Sequence, residues 1–263
     1  MNQPVRIKMK ADTLHEDMQR FAMAPLKESV FLNSVPKSGT HLLRNIVRMF
    51  VPAEQQYHRD FIQLPNLHLH LAAFAGQPPA VSWGHLLFAD PSAVALKGVR
   101  QVVLVRDPYD WVLARARFYL SEEFQGSLNN IKGGAAAIDD VLNLMIFGSF
   151  QKAPSLLDIY TFNAVAWMNG ATFMVRYEDI VRHLKALDGI AANAFFAELL
   201  GACGIDLPAD WRERVRIGSD RKHSATAREH LSNDVAVPDD LPERQKRLVD
   251  FAAPGLRAML GYG

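Results

Sequence analysis

The chain has 263 residues, of which 49% are hydrophobic and 22% charged, and its formal net charge at pH 7 is +1. That is the composition of a folded protein with a sizeable core, and it leaves no broad cationic surface for nucleic acid or an anionic membrane. The one cysteine, Cys203, excludes an internal disulfide, reads as a small buried hydrophobe and fits a reducing, cytoplasmic setting.

Residues 1–28 read as an N-terminal extension without the apolar core of a secretory signal. No window approaches the ~20 apolar residues that a membrane-spanning helix needs. A strand is expected at 29–33 and a helix at 40–50, followed by a short strand at 80–83. In residues 66–71, His68 and His70 alternate with leucines and are expected to share one polar face, without the further ligands a metal pair needs. Residues 101–105, Gln-Val-Val-Leu-Val, form the strongest strand, β-branched and apolar enough to be buried on both faces as in a parallel sheet.

Helical patterns then cover 108–124, 138–147 and 155–168. A fourth strand is expected at 172–176, with helices at 177–187 and 243–253. Strands alternating with helices imply an α/β fold of three layers, a mainly parallel central sheet of about four to five strands flanked by helices. No internal repeat appears, so 1–263 is expected to be a single domain. Two stretches lack periodicity, 125–134 and 217–242, and long irregular segments in compact domains are often functional loops.

Between the first strand and the first helix lies Asn33-Ser34-Val35-Pro36-Lys37-Ser38-Gly39-Thr40-His41. In an ordinary phosphate loop the lysine follows the last glycine, whereas here it stands two places ahead of it. The physical parts of an anion site are nevertheless present. Pro36 stiffens the turn, Gly39 permits close backbone approach, and the helix that follows offers free N–H groups and the positive end of its dipole. Lys37, Ser38 and Thr40 add a charge and two hydroxyls.

Directly after the strongest strand comes Arg106-Asp107-Pro108-Tyr109-Asp110. An arginine leaving the carboxyl end of a parallel strand stands on the edge where open α/β sheets bind ligands. Pro108 suits the first helical turn, and Asp107 is placed to cap it.

These two stretches, Pro36-Lys37-Ser38-Gly39-Thr40 and Arg106-Asp107-Pro108-Tyr109-Asp110, in this order and on these elements, resemble the sulfotransferases that use 3′-phosphoadenosine 5′-phosphosulfate. The resemblance spans about residues 29–179 and implies a P-loop-like fold. It implies that Lys37, Ser38, Gly39, Thr40 and His41 hold the 5′ end of the donor and Arg106 its 3′-phosphate. The family's serine eight residues after the arginine falls on Ala114, and its adenine-stacking tryptophan on Leu42. Arg115 or Arg117 could replace the serine, Arg117 being one i+3 step from Ala114.

The resemblance also implies a histidine base at the end of the strand before the arginine strand. His85, in Ser82-Trp83-Gly84-His85-Leu86, fills that place, with Gly84 expected to let the chain turn sharply. Of nine histidines, it is the one set by position at a strand end. The implied reaction is in-line transfer to a hydroxyl or amine, with His85 taking the acceptor proton and Lys37 stabilising the departing phosphate; no metal is required.

In Arg176-Tyr177-Glu178-Asp179, Tyr177 matches the family tyrosine near the adenine. Arg221, Lys222, Ser224 and Arg228, in the irregular 217–242 segment, match its basic loop over the 3′-phosphate, although His223 stands where that loop has glycine. The implied partner is a small-molecule acceptor, and a monomer and a homodimer are equally compatible with the chain. Phe61, Leu64, Phe74, Phe88, Phe118, Phe147 and Phe150 could line an apolar acceptor pocket or simply pack the core.

Two rivals remain open at this level. A P-loop kinase-like phosphotransferase would want the Gly-Lys-Ser/Thr order and an acidic Mg²⁺ ligand, which 102–105 lacks. A catalytically silent nucleotide-binding or scaffold protein is favoured by Ala114 and Leu42, and disfavoured by the presence of both Lys37 and His85.

Overall fold

The computed structural model describes residues 6–7, 11–57, 61–169, 171–224 and 235–263. In chain order its principal elements are β1 (Val30–Ser34), α1 (Thr40–Arg48), β2 (Val81–Gly84), β3 (Arg100–Val105), α2 (Pro108–Leu120), α3 (Ile138–Phe147), β4 (Thr172–Arg176), α4 (Tyr177–Lys185), α5 (Ile190–Ala202), α6 (Trp211–Ser219) and α7 (Glu243–Ala252). They belong to two compact units. One comprises the described residues of 12–105 and 162–224; the other comprises those of 106–161 with the described termini.

The first unit holds a parallel four-stranded sheet in the order β2-β1-β3-β4. Because β1 is flanked by β2 on one side and β3 on the other, the direction of strand addition reverses there. The carboxyl end of β1 is therefore the topological switch point, where sheets of this kind bind ligands. Alternation within the strands separates two faces. Val30, Leu32, Val102, Leu104 and Val175 pack in one core with Leu43, Ile46 and Val47 of α1, Phe196 and Leu199 of α5, and Trp211 and Val215 of α6. Phe31, Val103 and Val105 are buried on the opposite face, where the Phe31 ring meets Phe74 edge-on at 5.5 Å.

Two helices in this unit carry little sequence signal. Helix α5, Ile-Ala-Ala-Asn-Ala-Phe-Phe-Ala-Glu-Leu-Leu-Gly-Ala, is apolar on most sides, and α6 is largely charged. Helix α6 packs on α1 through Gly218, where a Cβ would lie 2.7 Å from the Asn45 carbonyl oxygen and 2.8 Å from Ile46 Cα. Leu14, Met18 and Leu26 belong to the same core, as does Cys203, whose thiol burial pushes up to about 12.

In the second unit, α2 opens as expected, with the Asp107 carboxylate accepting from the Tyr109 N–H at 3.0 Å. It stops at Leu120 because Ser121 turns to extended backbone and donates its hydroxyl to the Phe118 carbonyl at 2.7 Å. Residues 6–7 pair antiparallel with 124–125 in a separate two-stranded ladder. The expected helix 155–168 is likewise shorter, Leu156–Asn163, with a single 3₁₀ turn at Val165–Trp167 after it. In the first unit, residues 64–69 form a 3₁₀ helix, in which residues two apart do not share a face. His68 is therefore exposed, while His70 is buried with its Nδ1 3.0 Å from the Tyr57 hydroxyl, so the two share no polar face.

Candidate active site

The loop leaving β1 is fixed by some of its own donors and leaves others without an acceptor among the described residues. Val35 is tied to β3 by its N–H to the Leu104 carbonyl (3.0 Å), and Ser38 N–H closes a turn on the Val35 carbonyl (3.1 Å). Lys37 takes φ = 69°, a left-handed conformation uncommon outside glycine. Gly39 follows at φ = 98° and becomes the N-cap of α1, with no side chain capping it. Its carbonyl receives the N–H groups of Leu42 and Leu43. The N–H groups of Gly39, Thr40 and His41 have no acceptor among the described residues. Ser38 Oγ is fully buried and likewise has no hydrogen-bond partner there. Three amides at a helix N-terminus and one orphaned buried hydroxyl make a cradle shaped for an oxyanion.

Gly39 is required for a second reason. A Cβ on it would lie 2.5 Å from Cδ2 and 2.8 Å from Cε2 of Tyr177, the first residue of α4. The expected partner of the adenine thus has its ring against the loop. Arg176 and Arg182 both pair with Asp179, at 2.7 and 2.8 Å, which fixes the start of that helix.

His85 follows β2 and is brought to the same loop. Its Nδ1 lies 3.1 Å from the Ser34 carbonyl oxygen and 3.0 Å from Ser34 Oγ. A carbonyl can only accept, so Nδ1 carries the proton and Nε2 the lone pair. Burial lowers the His85 pKa to about 4; the bond to the Ser34 carbonyl opposes that shift, and the Lys37 charge adds to it. The ring is therefore neutral at pH 7, as a base must be.

The sharp turn expected at Gly84 is not what that residue supplies. It is the last residue of β2, and a Cβ there would stand 1.9 Å from the Ile62 carbonyl oxygen. Ile62 runs alongside the strand, giving its N–H to the Trp83 carbonyl and accepting from the His85 N–H at 3.1 Å. This brings the Phe61 ring to 5.4 Å from His85 and 5.5 Å from His41. His41 Nδ1 is buried without a hydrogen bond among the described residues. Its pKa is lowered to about 3, first by burial and then by the charges of Arg44, His85 and Lys37.

One unit thus brings together Lys37, Ser38, Gly39, Thr40, His41, His85 and Tyr177. Two residues that the sequence did not single out hold them there. Asn33 is fully buried; its Oδ1 accepts from the N–H of Ser34 (3.0 Å) and Leu86 (2.9 Å), and its Nδ2 donates to the Leu86 carbonyl (3.0 Å). Ser34, also fully buried, touches Thr40 Oγ1 at 2.7 Å as well as His85. The available signal was a polar pair closing an otherwise apolar strand. Phe61, one of several phenylalanines that could have lined an acceptor pocket, is the one whose ring meets His85.

Arg221, Lys222 and Ser224 lie in the turn that follows α6, in the same unit. Arg221 and Lys222 are exposed, and Lys222 Nζ lies 3.6 Å from Asp17 and 3.8 Å from Asp220. His223 anchors the turn: it is buried, its Nε2 is 3.2 Å from Asp17, and its carbonyl accepts from Asn45 Nδ2 on α1 at 2.9 Å. Arg228 lies outside the described residues.

Arg106 opens the other unit, its carbonyl held by the Tyr160 hydroxyl at 2.8 Å. Both arginines near Ala114 make other contacts. The Arg115 guanidinium donates to the carbonyls of Met145 (2.7 Å) and Pro154 (2.8 Å), and Arg117 donates to the Pro238 carbonyl (2.8 Å). Among the described residues no cluster of three His, Cys, Asp or Glu could hold a metal, and no helix is long and apolar enough to cross a membrane.

No protein-family model matches the chain, and no curated protein matches its sequence. Solved structures do. A mouse sulfotransferase, SULT7A1, complexed with PAP, aligns over 97% of this chain and 95% of its own, with 17% identity and a TM-score of 0.56. Retinol dehydratase in complex with androsterone and the inactive cofactor PAP aligns over 93% of this chain and 85% of its own, at 16% identity and a TM-score of 0.53. The same enzyme with retinol and PAP gives 15% identity and 0.52 over the same shares. The chain has the sulfotransferase fold.

Proposed function

We propose that this protein is a sulfotransferase that moves a sulfuryl group from 3′-phosphoadenosine 5′-phosphosulfate to the hydroxyl or amine of a small acceptor. The observation that carries the reading is the cradle at the head of α1. It joins three uncommitted amides and the orphaned Ser38 hydroxyl to a neutral histidine whose ring is bonded into the same loop. PAP in the structures of similar fold supports a nucleotide that carries both 3′ and 5′ phosphates.

When bound, the donor supplies an activated sulfuryl group on a phosphate leaving group. The amides of Gly39, Thr40 and His41 and the hydroxyls of Ser38 and Thr40 bind its 5′ phosphate oxygens. Lys37 holds the charge that grows on the departing phosphate. His85 takes the acceptor proton at Nε2, the nitrogen left basic by the Nδ1–H bond to Ser34. Tyr177 contacts the adenine, and Arg106 pairs with the 3′-phosphate. Arg221, Lys222, Ser224 and Arg228 add to the 3′-phosphate contacts, Lys222 the more weakly because it shares its charge with Asp17. Phe61 beside His85 gives the acceptor an apolar wall, and retinol and androsterone in the retinol dehydratase structures support an apolar alcohol as the acceptor class.

The test is a thermal shift with adenosine 3′,5′-bisphosphate against ATP with Mg²⁺. A ligand at 100 times its Kd stabilises by about 2.7 kcal/mol, roughly 5–10 °C for a protein of this size. That shift with the bisphosphate and a smaller one with ATP is expected; the reverse order would make the protein a phosphotransferase.

A further inference from the structure

Ser34 is the last residue of β1, fully buried, and it touches both the proposed base and the phosphate loop. Its carbonyl lies 3.1 Å from His85 Nδ1. Its hydroxyl lies 3.0 Å from the same nitrogen, 2.7 Å from Thr40 Oγ1 and 3.3 Å from the Gly84 carbonyl. We propose that Ser34 is a positioning residue that couples occupancy of the phosphate loop to the hydrogen bonding of His85, an inference that rests on the sulfotransferase reading above.

Proton counting carries the argument. Nδ1 has one proton, directed at the Ser34 carbonyl and hydroxyl together, so Ser34 Oγ is an acceptor toward the ring. Each of the two hydroxyls has one proton, and in the 2.7 Å contact between them only one can donate. With no anion, Thr40 can donate to Ser34, and Ser34 to the Gly84 carbonyl. An anion on the amides of 39–41 draws the Thr40 proton to itself, because a charged acceptor makes the stronger bond. Thr40 Oγ1 is then left to accept, and the Ser34 proton turns to it.

The chain now runs in one direction, from His85 Nδ1–H to Ser34 Oγ, from Ser34 O–H to Thr40 Oγ1, and from Thr40 O–H to the anion. Hydrogen bonds so aligned polarise one another. The Nδ1–H bond strengthens, the imidazole is more electron-rich at Nε2, and the ring is locked in the orientation that serves the acceptor. The base is best prepared when the donor is in place. No atom other than these protons moves, and none leaves the chain.

The test reads the His85 side chain directly by ¹H–¹⁵N NMR of the full chain, with adenosine 3′,5′-bisphosphate as one probe and inorganic phosphate as the other. In the wild type the anion is expected to move the Nδ1–H proton to lower field. Ser34→Thr keeps that response, and Ser34→Ala loses it while the carbonyl preserves the tautomer. In turnover, Ser34→Ala lowers kcat roughly tenfold, part of the ~10²–10⁴ that a positioned base contributes, with KM for the donor within about twofold and recovery in Ser34→Thr.

If Ser34→Ala does not fold, Ser34→Cys, close in size with a weak S–H donor, carries the same expectation. An equal Nδ1–H shift in wild type and Ser34→Ala overturns the coupling, and so does the absence of any shift in a wild type that binds either anion. A wild type that ignores the bisphosphate but answers to phosphate, with the answer lost in Ser34→Ala, keeps the coupling and overturns the sulfotransferase reading. A wild type that binds neither anion overturns both.

Discussion

Two stretches of the same unit have almost the same letters. Lys37-Ser38-Gly39-Thr40-His41 and Arg221-Lys222-His223-Ser224 each combine a cation, a histidine and a hydroxyl, yet their surroundings are opposite. In the second, Asp220 accepts from the Lys222 N–H at 2.9 Å, Asp17 faces both Lys222 and His223, and the turn is closed on itself and on α1. In the first, the amides of 39–41 and Ser38 Oγ have no acceptor among the described residues, and burial lowers the pKa of both neighbouring histidines. Similar basic composition thus comes with different commitments of the donors, and it is donors without acceptors that an anion can use.

The contrast can be broken by mutation. His85→Ala carries the largest effect: sulfuryl transfer falls by ~10²–10⁴ while the bisphosphate still raises the unfolding midpoint, which separates the base from the cradle. Transfer at the wild-type rate would remove His85 from the mechanism. Gly39→Ala comes next. The left-handed conformation costs about 1–2 kcal/mol and the new methyl displaces the Tyr177 ring, so calorimetry should show bisphosphate affinity reduced about tenfold or more.

The third handle is pH. Folded His85 and His41 titrate near about 4 and about 3, whereas both return to about 6.5 when unfolded. Between those values the unfolded chain binds more protons, so stability is fully present above about pH 6.5 and declines as pH falls toward 4. Urea denaturation across that window measures it, with a shallower decline expected in His85→Asn. The acid limb of kcat/KM should lie near pH 4 rather than 6.5. The smallest effect belongs to Lys222→Ala, whose exposed ammonium is shared with Asp17. Its loss should change bisphosphate affinity by less than about fivefold, read in the same calorimetry. A larger loss for Lys222 than for Gly39 would reverse the ranking of the two stretches.

Much of this was legible before folding. The apolar runs mark all four strands of the sheet to within a residue; β1, β2 and most of β3 are buried on both faces, which favours such a run, whereas β4 is only partly buried and shows it more weakly. Pro108 and Asp107 announce the start of α2 by local chemistry alone. Helices α5 and α6 were not legible, one too uniformly apolar and the other too charged to show a period; contact with the sheet and with α1 at Gly218 holds them. Gly84 was noticed for the wrong reason: its missing side chain admits the Ile62 carbonyl, a long-range contact that a turn rule cannot anticipate.

The sequence by itself determined the α/β alternation, the anion-seeking loop at the head of a helix, and the candidacy of Lys37 and His85, since each follows from residue types at short spacing. Tertiary structure alone decided which donors stay uncommitted, which nitrogen of His85 holds its proton, and that Arg115 and Arg117 are occupied elsewhere. Those outcomes depend on hydrogen-bond partners far apart along the chain, 51 residues for His85 and Ser34 and 30 for Arg115 and Met145. A hydrogen bond is set by distance in space, and the sequence holds no record of that distance until the sheet has formed.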